Sequence, residues 1–154
     1  MSVIDYLHDD YRSLLKTLDE LNSLIEHGTV KCRETKRAWL NKIKISLRIY
    51  LYARSGLLAR FSNLLPSKIF FNSQIQSNYR LIEAITGELS NPMPLDMWTQ
   101  KAFILKKFTE ETLKHEIAML DEAMRTHCDS MSLDQMGESY AQNRMDLYSN
   151  WLCA

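Results

Sequence analysis

The apolar residues between Arg33 and Leu65 recur in alternating steps of three and four. The row contains one charged residue, Arg54, and its members are Leu40, Ile43, Leu47, Tyr50, Arg54, Leu57, Phe61 and Leu64. Such a row occupies one face of a long α-helix and is typical of a helix inside a bundle. Pro66 follows and predicts the end of the helix. With only four Gly and three Pro, the chain has few turn formers, which disfavours an all-β sandwich.

Comparable patterns predict four further helices. The first runs from Ser2 to Glu26 and is closed by Gly28, and two more cover Ser73 to Leu89 and Leu95 to Thr126. A last helix, N-capped by Ser132, extends to about Trp151. Four long helices with short connections predict an all-α, up-down four-helix bundle, with the C-terminal fifth helix packed outside it. A chain of 154 residues is the size of one domain, so we expect a single domain over residues 1–154.

Charge and cysteine content limit the environment of the protein. Lys plus Arg equals Asp plus Glu, 19 against 19, so no overall field attracts nucleic acid or an acidic membrane. No apolar run approaches the ~20 residues that span a bilayer, and the acidic N-terminus does not resemble a secretory signal. The three cysteines, Cys32, Cys128 and Cys153, do not form the close pairs of a disulfide framework. We therefore expect a cytoplasmic location, with no nucleic-acid or membrane partner.

Two histidines and three large polar residues stand where a helical metal protein would place its ligands. His8 lies in YLHDDY, His115 in LKHEI, Tyr50 and Arg54 in IYLYAR, and Tyr79 in NYRLIEAI. This arrangement resembles the hemerythrin-like (HHE cation-binding) family over nearly the whole chain. The resemblance implies a four-helix bundle with a fifth, C-terminal helix. In that family, histidines and carboxylates from all four helices hold a di-iron site.

Position by position, the resemblance implies a degenerate metal site. His8 and His115 match family ligands, but Tyr50 and Arg54 stand at the positions of a His-x-x-x-Glu pair, and Tyr79 stands at a histidine position. A guanidinium cannot bind a cation and places a positive charge where iron would sit. We therefore expect that the di-iron centre is lost and that no cofactor replaces it.

The same residues also have ordinary structural interpretations. His8 and His115 are expected to be core histidines that form hydrogen bonds with neighbours, and Tyr50 and Tyr79 to fill the volume of the lost imidazoles. Arg54 lies on the apolar row, where an unpaired guanidinium would be costly. We expect it to form a polar plug with a buried carboxylate. The candidates are Glu116, Asp9 and Asp10.

The first functional hypothesis is a non-catalytic binding or regulatory module. Its former metal-site cavity, lined by His8, Tyr50, Arg54, Tyr79 and His115, would accept a small anion or the side chain of an unknown protein partner, with Arg54 as the anion contact. No nucleotide-binding loop, serine-nucleophile elbow or His-Glu-x-x-His motif is present. No pair of titratable groups suggests acid–base catalysis, so we do not expect an enzyme.

Two alternatives belong to other classes. A divergent non-haem iron protein would bind dioxygen or nitric oxide, or sense or store iron, through His8, His115 and carboxylates such as Asp9, Asp10 and Glu116. A structural protein would form homo-oligomers, or recruit another chain, through an exposed face of the C-terminal helix. The contact residues in that case would be Tyr140, Tyr148, Trp151 and Leu152.

Overall fold

The fold is seen in a computed structural model that describes residues 1–70 and 72–152. Within these ranges the structure is all-helical, without a β-strand. The long helices are α1 (Val3–Glu26), α2 (Arg33–Arg60), α4 (Ser73–Glu88), α5 (Leu95–His127) and α6 (Ser130–Leu152); α3 is a short helix, Ser67–Phe70. No helix in the described ranges is long and apolar enough to cross a membrane.

Local chemistry accounts for both ends of α1. The Ser2 hydroxyl accepts from the Asp5 backbone N–H, and the Asp5 carboxylate accepts from the Ser2 N–H, which is a capping box at the start of α1. Gly28, just after α1, has a φ of +70°, in the left-handed region that glycine adopts most easily. A short 3₁₀ turn, Thr29–Lys31, then leads directly into α2.

Three predicted boundaries differ from the structure. Helix α2 ends at Arg60 rather than near Leu65, and the predicted loop after Pro66 contains α3. The last helix begins at Ser130, where the Asp129 carboxylate accepts from the Ser132 N–H at 2.8 Å. The predicted N-cap, Ser132, is therefore wrong, because the helix begins earlier and Asp129, three residues before Ser132, accepts from the Ser132 backbone N–H in the manner of an N-cap.

One continuous core joins the helices, with α1 contacting α2, α5 and α6, and α5 contacting α4. Near the start of α2, Trp39 packs edge-on against Trp98 of α5, with ring centres 6.0 Å apart. Each indole N–H donates to a backbone carbonyl, Trp39 to Thr17 and Trp98 to Leu89. Buried indoles require such partners, so this pair ties α1, α2, α5 and the end of α4 together.

The C-terminal helix α6 lies against α1 and α2, and part of it is core. Met136 and Tyr140 are buried. A Cβ added at Gly137 would lie 2.5 Å from the Met1 backbone oxygen, and one at Gly56 of α2 would lie 2.6 Å from the Asn143 amide nitrogen. At Gly137 the missing side chain lets two backbones approach closely, whereas at Gly56 it leaves room for the Asn143 side chain.

The contact set proposed for the C-terminal helix therefore needs correction. Tyr140 is buried and turned toward α1, so it is not part of an exposed face. Tyr148 is exposed, whereas Trp151 is half-buried against the Tyr52 ring, with centres 5.5 Å apart. The Leu152 side chain lies outside the described part of the chain. The helical period explains the error, since positions 136, 137 and 140 fall on the face that packs on α1.

Replacing Gly137 with alanine is predicted to destabilise the fold by roughly 1–2 kcal/mol, because overpacking against the start of α1 outweighs the better helix propensity of alanine. Gly87→Ala is the matched control, since nothing lies within 4 Å of a Cβ at that helical position. It should stabilise the protein by about 0.5–1 kcal/mol. Urea unfolding curves measure both. Equal effects of the two substitutions would contradict the close packing of α6 on α1.

Candidate functional site

The side chain at the centre of the site is Glu116, which is 0% exposed in the middle of α5. Arg54 Nη1 of α2 donates to Glu116 Oε2 at 2.7 Å. The hydroxyls of Tyr50 (α2) and Tyr79 (α4) both donate to Glu116 Oε1, the latter at 3.3 Å. We refer to Tyr50, Arg54, Tyr79 and Glu116 as the Glu116 cluster. Of the carboxylates considered as partners of Arg54, Glu116 is the one that the structure places beside it.

The helical period assembles this cluster. Tyr50 and Arg54 are four residues apart on α2, so both project from one face toward α5. Arg54 also lies over the Tyr79 ring, with its guanidinium carbon 5.6 Å from the ring centre. The stacking uses the aromatic face while the Tyr79 hydroxyl reaches Glu116. Three helices thus converge on one carboxylate.

The electrostatics keep both tyrosines in their neutral, hydrogen-donating form. Burial raises the pKa of Tyr50 well above its ordinary value, and the charge of Glu116 raises it further. Burial, followed by the same charge, also raises the pKa of Tyr79. The phenolate form is therefore disfavoured at both positions. Each hydroxyl acts as a donor to the carboxylate.

Arg54 supplies the charge that a buried carboxylate requires. Its side chain is 17% exposed, and that of Glu116 is 1% exposed. The guanidinium forms the ion pair through its terminal nitrogen Nη1, and its Nε is buried without a hydrogen-bond partner. A cavity of 310 Å³ lies beside the pair and is lined by Arg54, Glu116, Asn72 and Met119, among others. The cluster is therefore an internal ion pair at the edge of a cavity.

His115 is exposed, and its predicted position in the cavity is wrong. The buried row of α5 passes through Leu105, Thr109, Thr112 and Glu116. His115 precedes Glu116 by one residue, which turns its side chain by about 100° around the helix axis. The inward residue of LKHEI is the glutamate.

His8 is half-buried and belongs to a separate contact between α1 and α5. Its Nε2 lies 2.7 Å from Asp121 Oδ2, and Asp121 is also paired with Arg125. Glu116 is buried while His115 is exposed, so the alternative ligand set of His8, His115 and Glu116 is not gathered at one place. In the described part of the chain, no group of three or more His, Cys, Asp or Glu side chains is arranged to hold a metal ion.

A second carboxylate, the partly buried Asp10, has partners that the sequence did not predict. Asp10 of α1 accepts hydrogen bonds from the Tyr140 hydroxyl and from Arg144 Nη1, both on α6. Arg144 stacks over the rings of Tyr6 and Tyr140, at 5.4 and 5.8 Å from their centres. We refer to these four residues as the Asp10 cluster. The four-residue spacing of Tyr140 and Arg144 was a sequence signal, because it repeats that of Tyr50 and Arg54.

Comparison of the chain with protein-family models, with curated proteins and with solved structures found no match in any of the three.

Arg54→Met is predicted to destabilise the protein by about 3 kcal/mol or more, because Glu116 would remain buried without its charge partner. The double substitution Arg54→Met/Glu116→Gln removes that unpaired charge and keeps an oxygen acceptor for the tyrosines. It should therefore be more stable than Arg54→Met alone. Chemical denaturation of both variants measures the difference.

The control is Lys42→Met, which removes an exposed ion pair with Glu20 and should change stability by less than about 1 kcal/mol. An Arg54→Met protein with the melting temperature of the parent would show that the ion pair does not stabilise the core.

Two aspartates should give opposite pH dependences of stability. Burial raises the pKa of Asp10 despite its donors Tyr140 and Arg144. Folded protein then binds the proton more readily than unfolded chain, so this residue makes stability increase as pH falls from the raised pKa toward the ordinary value. For Asp121, burial acts upward, but the hydrogen bonds from His8 and Arg125 outweigh it and lower the pKa. Its contribution is lost as pH falls below the ordinary value.

Asp10→Asn and Asp121→Asn are therefore predicted to change the slope of unfolding free energy against pH in opposite directions. Asp10→Asn removes the gain in unfolding free energy that acidification gives above the ordinary aspartate pKa. Asp121→Asn removes the loss of unfolding free energy that acidification causes below that pKa. Urea titrations from neutral to acidic pH measure the two slopes. Slope changes of the same sign would contradict the assigned environments.

Proposed function

We propose that the protein is a hemerythrin-like bundle that has lost its di-iron centre and acts as a non-catalytic binding or regulatory module in the cytoplasm. The observation that carries this proposal is the pairing of Glu116 with Arg54, Tyr50 and Tyr79. Three donors to this buried carboxylate are side chains of the neighbouring helices. A guanidinium, rather than a metal ion, thus provides the positive charge next to the inward-facing Glu116.

The contacts between helices support the up-down arrangement that this proposal includes. Where two helices run antiparallel, the residue number rises on one as it falls on the other. Three helix pairs have contacts of this kind. They are α1 with α5 (His8–Asp121 and Asp19–Lys106), α2 with α4 and the turn that follows it (Arg54–Tyr79 and Lys44–Ser90), and α4 with α5 (Tyr79–Glu116 and Glu88–Lys101). We therefore propose α1, α2, α4 and α5 as the bundle, with α6 as the added fifth helix.

The internal ion pair also limits where on the protein a ligand can bind. The anion contact expected at Arg54 is already engaged by Glu116, and the tyrosine hydroxyls have the same acceptor. A ligand at this position would have to displace a fully buried carboxylate, which is costly. We therefore propose that a small anion or a protein partner binds at the surface of the bundle, while the Glu116 cluster stabilises the fold.

Protein produced in iron-supplemented medium is predicted to be folded and colourless, with far less than one iron per chain by mass spectrometry of the metal content. The reason is that Arg54 and two neutral phenols surround the inward carboxylate. Absorption spectra of the same sample test for iron-to-ligand charge-transfer bands. Stoichiometric iron with such a band would overturn the proposal and support the divergent iron protein. The Arg54→Glu variant, which removes the internal cation, serves as the comparison in the same assay.

A further inference from the structure

A second cavity, of 480 Å³, lies at the other end of α2, away from the Glu116 cluster. It is bounded by the first turns of α2, the end of α4 and the start of α5. Its rim carries Arg33, Lys36 and Arg37, together with the amide side chains of Asn41 and Asn91. Leu40, Leu89 and Trp98 line the apolar floor. We call this cavity the basic cleft. Its volume is within the range of about 300–1,000 Å³ that is usual for small-molecule sites.

The charge of the basic cleft is one-sided. Three cations line it and no carboxylate does. Two nearby cations do have carboxylate partners, since Lys42 pairs with Glu20 of α1 and Lys101 pairs with Glu88. None of Arg33, Lys36 and Arg37 forms an ion pair with a described acidic residue. The lining of the cleft therefore carries three positive charges and no carboxylate, with Glu34 of the same helical turn outside the lining.

The placement of these cations is unfavourable for the helix itself. Arg33 is the first residue of α2, and Lys36 and Arg37 follow at spacings of three and four, so the like charges are neighbours on one face. The N-terminus of a helix also carries a partial positive charge, which disfavours cations there. A bound anion would relieve both the mutual repulsion and the unfavourable helix-end charge.

The floor of the cleft positions the Lys36 ammonium group before a ligand binds. Lys36 Nζ lies 5.4 Å from the centre of the Trp98 ring. That ring is fixed by its N–H bond to the Leu89 carbonyl at 3.1 Å and by the Trp39 contact. A cation–π contact leaves the ammonium free to donate to an anion. Preorganisation of this kind lowers the entropic cost of binding.

From this geometry we propose that the basic cleft binds a phosphorylated small molecule through a diphosphate or two neighbouring phosphate groups. Guanidinium groups donate pairs of hydrogen bonds to phosphate oxygens, and three cations balance the charge of a diphosphate. The apolar floor accommodates the organic part of the molecule. The inference rests on the proposed binding role, but it uses no residue of the Glu116 cluster and does not depend on the iron content.

The test is calorimetric titration of the full chain with sodium pyrophosphate at constant ionic strength. The parent protein should bind it with measurable heat. Arg33→Gln/Arg37→Gln should weaken binding by at least about tenfold, as expected for the loss of charge-assisted hydrogen bonds. Lys16→Gln/Lys114→Gln is the control, because it removes the same charge from two exposed residues outside the cleft. This control should bind like the parent.

Two results would overturn the proposal: no binding of pyrophosphate by the folded parent at millimolar concentration, or equal weakening by both double substitutions. The second result would mean that net charge alone attracts the anion. All four substituted positions lie in exposed side chains, and circular dichroism verifies that each variant is folded. If the protein is iron-free and does not bind pyrophosphate, the cleft proposal is rejected and the proposed loss of the metal centre stands. If the protein contains iron and binds pyrophosphate, the proposed loss of the metal centre is rejected and the cleft proposal stands.

Discussion

The packing in the middle of this fold depends on Glu116, a carboxylate with no exposed surface. An ionised group at such a place is tolerated only when charge and hydrogen bonds compensate its lost hydration. Arg54 provides the charge, and Tyr50 and Tyr79 provide neutral donors. Since these residues come from α2 and α4 and the acceptor from α5, the compensation requires three helices to be correctly placed at once. The polar core is therefore a constraint on the relative positions of the helices.

The sequence predicted the helices well where the signal was strong. The starts at Arg33, Ser73 and Leu95 agree with the structure, because helical periodicity and the neighbouring loops coincide there. A guanidinium on the apolar row of α2 needs a carboxylate partner, and Glu116, one of the three predicted candidates, forms that ion pair. This step succeeded because the cost of an unpaired buried charge depends little on the details of packing.

The remainder of the site depended on the rotation of α5, which the sequence does not determine. Two adjacent rows share Thr112: one continues to His115 and Met119, and the other to Glu116 and Leu120. Apolar and polar residues are mixed in both rows, so periodicity alone does not separate them. The resemblance to metal-binding bundles favoured the histidine, whereas the structure buries the glutamate. The Asp10 cluster was missed for a related reason, since its donors come from the weakly patterned α6.

The buried Glu116 and the partly buried Asp10 are compensated by the same kinds of side chain and connect different helices. Asp10 binds α1 to α6 through Tyr140 and Arg144, as Glu116 joins α5 to α2 and α4. The charge of Glu116 also contributes to the raised pKa of Tyr140, so the clusters are within electrostatic reach of each other. Apolar residues of equal volume would often stabilise a core as well as a buried ion pair does. They would not, however, distinguish between rotations of a helix. Turning α5 by one residue would bring His115 or Ile117 to the position of Glu116 and leave Arg54 without an acceptor. The clusters therefore select one packing among several of similar apolar content.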